Sequence, residues 1–100
     1  MSVLVTLRIQ GDTDQFRRFI ASEGDRMSAI ADDARAGGAI HHRFGIGDGF
    51  VLVVDEWESA EAFQRFFETN QEIPGVMRDA GAQGEPEITI AEAVSTADQF

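Results

Sequence analysis

The sequence predicts a small α+β domain whose elements follow the order β-α-β-β-α-β. Three observations lead to this prediction. Apolar residues alternate near both ends of the chain, at 3–9 and 87–94, as in half-buried strands. A short loop ending in Asp48-Gly49 joins two further strands, which is typical of a hairpin. Two other segments have the 3.6-residue apolar period of helices.

The central stretch, residues 50–68, joins a buried strand to an aromatic-faced helix. Residues 50–54 form a continuous apolar, largely β-branched run, as expected for a strand covered on both faces. After Trp57 the period changes, and Phe63, Phe66 and Phe67 fall on one helical stripe. Ser59 is a suitable N-cap for that helix.

The first strand should be followed by a long helix with a weak point. Asp12 and Gln15 have the spacing of a capping box, so we expect the helix to begin there. Its apolar stripe runs to Ala34, but Gly24 interrupts it and predicts a bend. Gly37-Gly38 should end the helix, because glycine accepts the left-handed conformation common at helix ends.

The remaining elements complete a ferredoxin-like arrangement. The two hairpin strands are expected at 39–46 and in the apolar run that begins at residue 50. The next helix should end near Asn70, because Pro74 disfavours helix at the residue before it. A short helical turn is expected at 74–80. This order gives a four-stranded antiparallel sheet with the first and fourth strands adjacent and the helices on one face. We expect one domain at 1–94 and a tail at 95–100. Apolar residues occur on both sides of the strands, which predicts a homodimer packed through the face without helices.

Composition excludes several classes of function. The 100 residues include no cysteine, tyrosine or lysine, so disulfides, thiolate sites and Schiff bases are excluded. A net charge of −10 disfavours nucleic acid as a partner. The longest apolar run is too short for a membrane span, and no signal peptide is recognisable, so a cytoplasmic protein is expected.

The two histidines are the strongest candidates for chemistry. His41 and His42 are consecutive in a strand and should point to opposite faces. We place His42 on the helix side, where it is either a base at the edge of an apolar pocket or a histidine that simply packs at the core edge. His41 and Arg43 should face the other side. This arrangement, on opposite faces, argues against a metal site.

Other candidate residues are aromatic or charged. Trp57 either packs under the second helix or contacts a flat ligand, and its indole N–H needs a partner if buried. Some of the phenylalanines should line a ligand pocket, with Phe44, Phe63, Phe66 and Phe67 as candidates. On the face without helices we expect Thr6, Arg8, His41, Arg43, Asp55, Glu87 and Thr89. Among them Arg8, Arg43, Asp55 and Glu87 either form a compensated charged network, or the two arginines bind a substrate carboxylate or enolate.

The motif Trp57-Glu58-Ser59, followed by Ala62-Phe63, resembles the dimeric α+β barrel superfamily, and most of all its antibiotic-biosynthesis monooxygenase group. The resemblance covers residues 3–94 and implies a pocket between helices and sheet. The haem-degrading branch uses an Asn, a Trp and a His. An ungapped alignment from Trp57 places Thr6 or a near neighbour, Phe66 and Val76 at those positions, so all three family residues are missing. No cofactor is therefore expected.

Two functions are compatible with these residues. The first is a cofactor-independent monooxygenase for an aromatic or polyketide-like small molecule, with His42 as base and an Arg or the Trp57 N–H stabilising the anion. The second is a non-catalytic dimeric module that binds a ligand or a partner.

Overall fold

A computed structural model describes residues 1–100 of the chain. The elements are β1 Val3–Gln10, α1 Thr13–Ser22, α2 Gly24–Ala36, β2 Ala39–Ile46, β3 Phe50–Trp57, α3 Ala60–Thr69, α4 Ile73–Asp79 and β4 Glu87–Glu92.

The four strands form one antiparallel sheet in the order β2-β3-β1-β4. The predicted α+β class, the ferredoxin-like order and the contact between the first and last strands are confirmed. β4 ends two residues before the predicted Val94. β2 has the predicted bounds but contains a bulge at Ile40, so Ala39 pairs with Trp57 and His41 pairs with Glu56.

The predicted long helix is divided into α1 and α2 at Glu23-Gly24. Asp12 caps α1 by accepting from the backbone N–H groups of Asp14 and Gln15. The reciprocal half of the capping box is absent, because the Gln15 side chain donates to the backbone oxygen of Asp79 instead, at 2.9 Å. α2 ends at Ala36 with Gly37 as its C-cap, and Gly38 has a φ of 118°.

The helices cover one face of the sheet through two separate core clusters. The first surrounds Trp57 and includes Val5, Leu7, Val53 and Phe63. The second contains Phe16, Phe19, Val51 and Ala80. Five large apolar residues of the strands nevertheless remain more than 40% exposed: Leu4, Ile40, Phe44, Val54 and Ile88.

The other face of the sheet carries no helix and is partly apolar. Leu4 and Val54 are 48% and 46% exposed there. Arg8 lies over the ring of Phe50, with its guanidinium carbon 3.7 Å from the ring centroid. We call this surface, which also includes Leu52, the outer face.

The predicted charged network on the outer face is not formed. Asp55 pairs with Val5 of β1 and His42 of β2, and it lies on the helix side, as its two-residue spacing from Val53 and Trp57 requires. Arg8, Arg43 and Glu87 make no ion pair within the chain. The acidic residue of β3 that does lie on the outer face is Glu56, which accepts a hydrogen bond from the Ser2 hydroxyl at 2.6 Å.

No helix is both long enough and apolar enough to cross a membrane.

Candidate functional site

A cavity of about 680 Å³ lies between the helices and the covered face of the sheet. Residues of both core clusters line it, so it occupies the space between them. Of its 32 lining residues 22 are hydrophobic, and the four helices and three of the strands contribute to them. A volume of this size is within the range of small-molecule sites, and the apolar lining favours an apolar ligand.

One polar cluster borders this apolar cavity, built from Asp55, His42 and Trp57. Asp55 Oδ1 lies 2.7 Å from His42 Nδ1, and Asp55 Oδ2 accepts from Trp57 Nε1 at 3.0 Å. The strands create this geometry: His42 is directly opposite Asp55 in the β2–β3 register, and Trp57 is two residues farther along the same face of β3. The cluster can accept and hold a proton at the wall of the cavity.

The three members of the cluster differ in their contact with solvent. Asp55 is 8% exposed and Trp57 is 1% exposed, whereas the His42 side chain is 42% exposed. A buried carboxylate needs partners, and here it has two donors. His42 is therefore the accessible end of a hydrogen-bonded chain whose other end is buried.

Aromatic rings surround the cluster on both sides. Phe44 contacts the His42 ring edge-on, with centroids 5.0 Å apart, and also packs against Phe16 at 5.4 Å. On the other side, Trp57 packs against Phe63 at 5.6 Å and Phe66 at 5.2 Å. These distances are typical of attractive aromatic pairs, and the resulting surface suits a flat ring system.

The structure brings together most of the predicted site residues. His42, Trp57, Phe44, Phe63, Phe66 and Phe67 all line the cavity. Arg43 does not line it, because it pairs with Val54 on the outer face. His41 borders the cavity although its strand position places it on the outer face with Glu56.

The Trp57 N–H is not free to bind a ligand. It is already donated to Asp55, and the indole is almost completely buried. The expected role of this N–H in stabilising an anion therefore does not fit the geometry.

The sequence analysis does not identify Asp55 as a residue of the cavity, because it wrongly expects this side chain on the outer face. The available signal was the two-residue period of β3: Val51, Val53, Asp55 and Trp57 alternate with Leu52, Val54 and Glu56. An acidic residue within that buried series indicates a polar partner on a neighbouring strand.

Asp79 tethers the helices above the cavity. Its carboxylate accepts from Arg26 of α2 at 3.0 Å, and its backbone oxygen accepts from Gln15 of α1. Hydrogen bonds from Arg26 and then Arg78 hold the pKa of Asp79 below its usual value. α4 is thus linked to α1 and α2 by polar contacts at the surface. Nowhere do three or more His, Asp or Glu side chains converge as they would around a metal ion.

The chain has a ferredoxin-like α+β fold that is similar to solved structures described as a cofactor-independent oxygenase and as antibiotic biosynthesis monooxygenases. No family model matches the sequence, and no curated protein matches it significantly. The likeness therefore comes from solved structures.

Three solved structures illustrate it. SnoaB, a cofactor-independent oxygenase from Streptomyces nogalater, is 17% identical over 98% of both chains, with a TM-score of 0.65. A dimeric ferredoxin-like protein from an uncultured marine organism is 15% identical over 99% of this chain and 93% of its own, with a TM-score of 0.68. A candidate antibiotic biosynthesis monooxygenase from Bordetella bronchiseptica is 12% identical over 94% and 98%, with a TM-score of 0.70. At such identities the likeness establishes the fold.

Proposed function

We propose that this protein is a cofactor-independent oxygenase that acts on an aromatic or polyketide-like small molecule. The observation that carries the proposal is that His42, hydrogen-bonded to a buried carboxylate, borders an apolar cavity of about 680 Å³ that is rich in aromatic side chains. The structural likeness to SnoaB, which is described as a cofactor-independent oxygenase, supports the same reaction class.

The reaction starts with removal of a proton from carbon. In a substrate whose CH₂ group lies between aromatic rings and is conjugated with a carbonyl, His42 takes one C–H proton, and the electron pair of that bond enters the ring system as an enolate. The enolate transfers an electron to O₂, and the two radicals combine to form a C–O bond. The resulting peroxide anion takes up a proton to give a hydroperoxide. The hydroperoxide then loses water as its remaining C–H bond and its O–O bond break, so O₂ supplies the oxygen of the new carbonyl and the oxygen of the water.

The protein contributes a base, an apolar cavity and aromatic side chains that suit a flat ring system. The apolar lining removes water from around the enolate, which strengthens its attraction to the imidazolium formed at His42. The one guanidinium among the lining residues belongs to Arg35 of α2, which is paired with Asp32 at 2.8 Å. Arg35 is therefore the one arginine of the lining, whereas Arg43 lies on the outer face and the neutral Trp57 N–H is donated to Asp55.

We also propose that the protein functions as a homodimer that buries the outer face. Leu4 and Val54 are exposed on that face beside half-buried Leu52, and a solved structure of the same fold is described as dimeric. In an antiparallel sheet with helices on one face only, a second copy related by a two-fold axis covers the remaining apolar surface.

The test compares aerobic and anaerobic incubation with anthrone-type substrates. We expect an O₂-dependent quinone product with the natural sequence. In His42→Ala the rate should be roughly 10²–10⁴-fold lower, because general base catalysis typically contributes a rate factor of that size. Arg65→Ala is the control, since Arg65 is exposed on α3 and does not line the cavity, and it should retain activity.

Two results would contradict the proposal. One is full activity in His42→Ala. The other is tight binding of the substrate without any O₂-dependent product, which would favour the alternative function, a non-catalytic ligand-binding module.

A further inference from the structure

We infer that Asp55 and Trp57 hold His42 in the tautomer that carries its hydrogen on Nδ1, so that Nε2 is the basic atom and Asp55 is a positioning residue. The role in catalysis rests on the function proposed above. The tautomer itself does not, because it follows from the hydrogen bonds of the folded chain.

The direction of each hydrogen bond follows from which of its two atoms is able to donate a hydrogen. The indole Nε1 of Trp57 only donates, and it donates to Asp55 Oδ2 at 3.0 Å. A carboxylate oxygen only accepts, so the contact of 2.7 Å between Asp55 Oδ1 and His42 Nδ1 requires a hydrogen on Nδ1. In a neutral imidazole the other nitrogen, Nε2, then has the free electron pair.

Packing prevents the chain of hydrogen bonds from rearranging. Trp57 is 1% exposed and lies between Phe63 and Phe66, so its indole cannot turn its N–H elsewhere. Asp55 is buried beside it, and its two oxygens are each occupied by one donor. The indole thereby orients the carboxylate, and the carboxylate orients the imidazole.

The same chain supports the proton transfer. When Nε2 takes a proton from a substrate carbon, the Nε2–H bond forms as the C–H bond breaks, and the imidazole becomes a cation. That charge forms next to a carboxylate already in hydrogen-bond contact, which stabilises it without rearrangement of water.

The orientation imposed by Trp57 leads to a specific expectation for Asp55→Asn. The Trp57 N–H must still find an acceptor, so the amide oxygen of the new side chain should take that position. The amide NH₂ then faces His42 Nδ1 and donates to it, which forces the hydrogen of the imidazole onto Nε2. The variant should keep the shape of the site but lose the base.

The experiment is ¹⁵N NMR of the histidine side chains at mildly alkaline pH, where neutral imidazoles prevail. In the natural sequence, His42 should show a protonated Nδ1 and an unprotonated Nε2. In Asp55→Asn, Nδ1 of His42 should be unprotonated and Nε2 should be protonated. Oxygenase activity should fall by about 10²-fold or more. His41, which lacks this carboxylate, is the internal control and should not change.

The double variant Asp55→Asn with Trp57→Phe provides the sharpest check. Without the indole N–H the new amide can turn its oxygen toward His42, so the Nδ1–H tautomer and part of the activity should return. A protonated Nε2 in the natural sequence would overturn the inference, and so would an unchanged tautomer in folded Asp55→Asn. The spectrum of the natural sequence decides the first point even where a variant fails to fold. Absence of any oxygenase product, with the expected tautomer, would refute only the proposed function.

Discussion

Trp57 donates its indole N–H to the carboxylate of Asp55 across 3.0 Å, between two residues that are two positions apart on the same face of β3. This contact explains how a carboxylate is accommodated in an otherwise apolar strand. Asp55 is removed from water, but both of its oxygens have donors, from Trp57 and from His42. The contact also connects the centre of the larger core cluster to the wall of the cavity.

Removal of the Asp55 side chain should destabilise the protein through Trp57. In Asp55→Ala the buried indole N–H has no acceptor, and we expect a loss of about 1–3 kcal/mol in the free energy of unfolding. Asp55→Asn retains an oxygen acceptor and should lose less. Urea unfolding followed by the fluorescence of Trp57, the only tryptophan, measures both. Equal losses in the two variants would show that this hydrogen bond does not stabilise the fold.

Partial filling of the cavity should block ligand binding without unfolding the chain. Ala31 of α2 lines the cavity, and a phenyl ring in its place occupies space that is otherwise free. In Ala31→Phe we expect the affinity for an apolar fluorescent dye to fall at least tenfold, a change of about 1.4 kcal/mol, with no loss of stability. Ala29→Phe is the control, because Ala29 is exposed on the same helix and does not line the cavity. A similar affinity in both variants would place the dye elsewhere.

A charge on the outer face should separate the proposed dimer. Leu4 is 48% exposed there and lies opposite Glu56 of β3, so Leu4→Lys should fold as a monomer while placing an ammonium group in the interface. Ile20→Lys is the matched control on α1, also at an exposed apolar residue. Sedimentation at low micromolar concentration should show a dimer for the natural sequence and the control, and a monomer for Leu4→Lys. A natural sequence that sediments as a monomer would refute the dimer.

Two glycines near the ends of α2 should respond to alanine in opposite directions. At Gly24, where α2 begins, an added Cβ meets no atom within 4 Å, so Gly24→Ala should stabilise the protein by about 0.4–1 kcal/mol. Gly38 has a φ of 118°, and an added Cβ would lie 2.8 Å from the Glu58 side chain. Gly38→Ala should therefore destabilise it by about 1 kcal/mol or more. Denaturant midpoints measure both changes, and a stabilising Gly38→Ala would contradict the expected strain.

Local patterns predicted the elements well because the relevant interactions are local. The caps at Asp12 and Ser59, the interruption at Gly24 and the hairpin at Asp48-Gly49 all depend on residues a few positions apart. The face assignment of β3 was wrong at Asp55 for a different reason. The prediction puts Asp55 on the same face as Arg8 and Arg43, although the alternation of the strand places it with Val53 and Trp57.

The amino-acid sequence by itself determined the order of the elements and the exclusion of thiol and lysine chemistry, because these depend on composition and short-range periodicity. Only the tertiary structure decided that His42 meets Asp55, since that contact depends on the register between β2 and β3. It also decided that a cavity remains between the two core clusters. The physical reason is that an empty volume is a property of how distant helices pack on the sheet together, and no single segment of the chain encodes it.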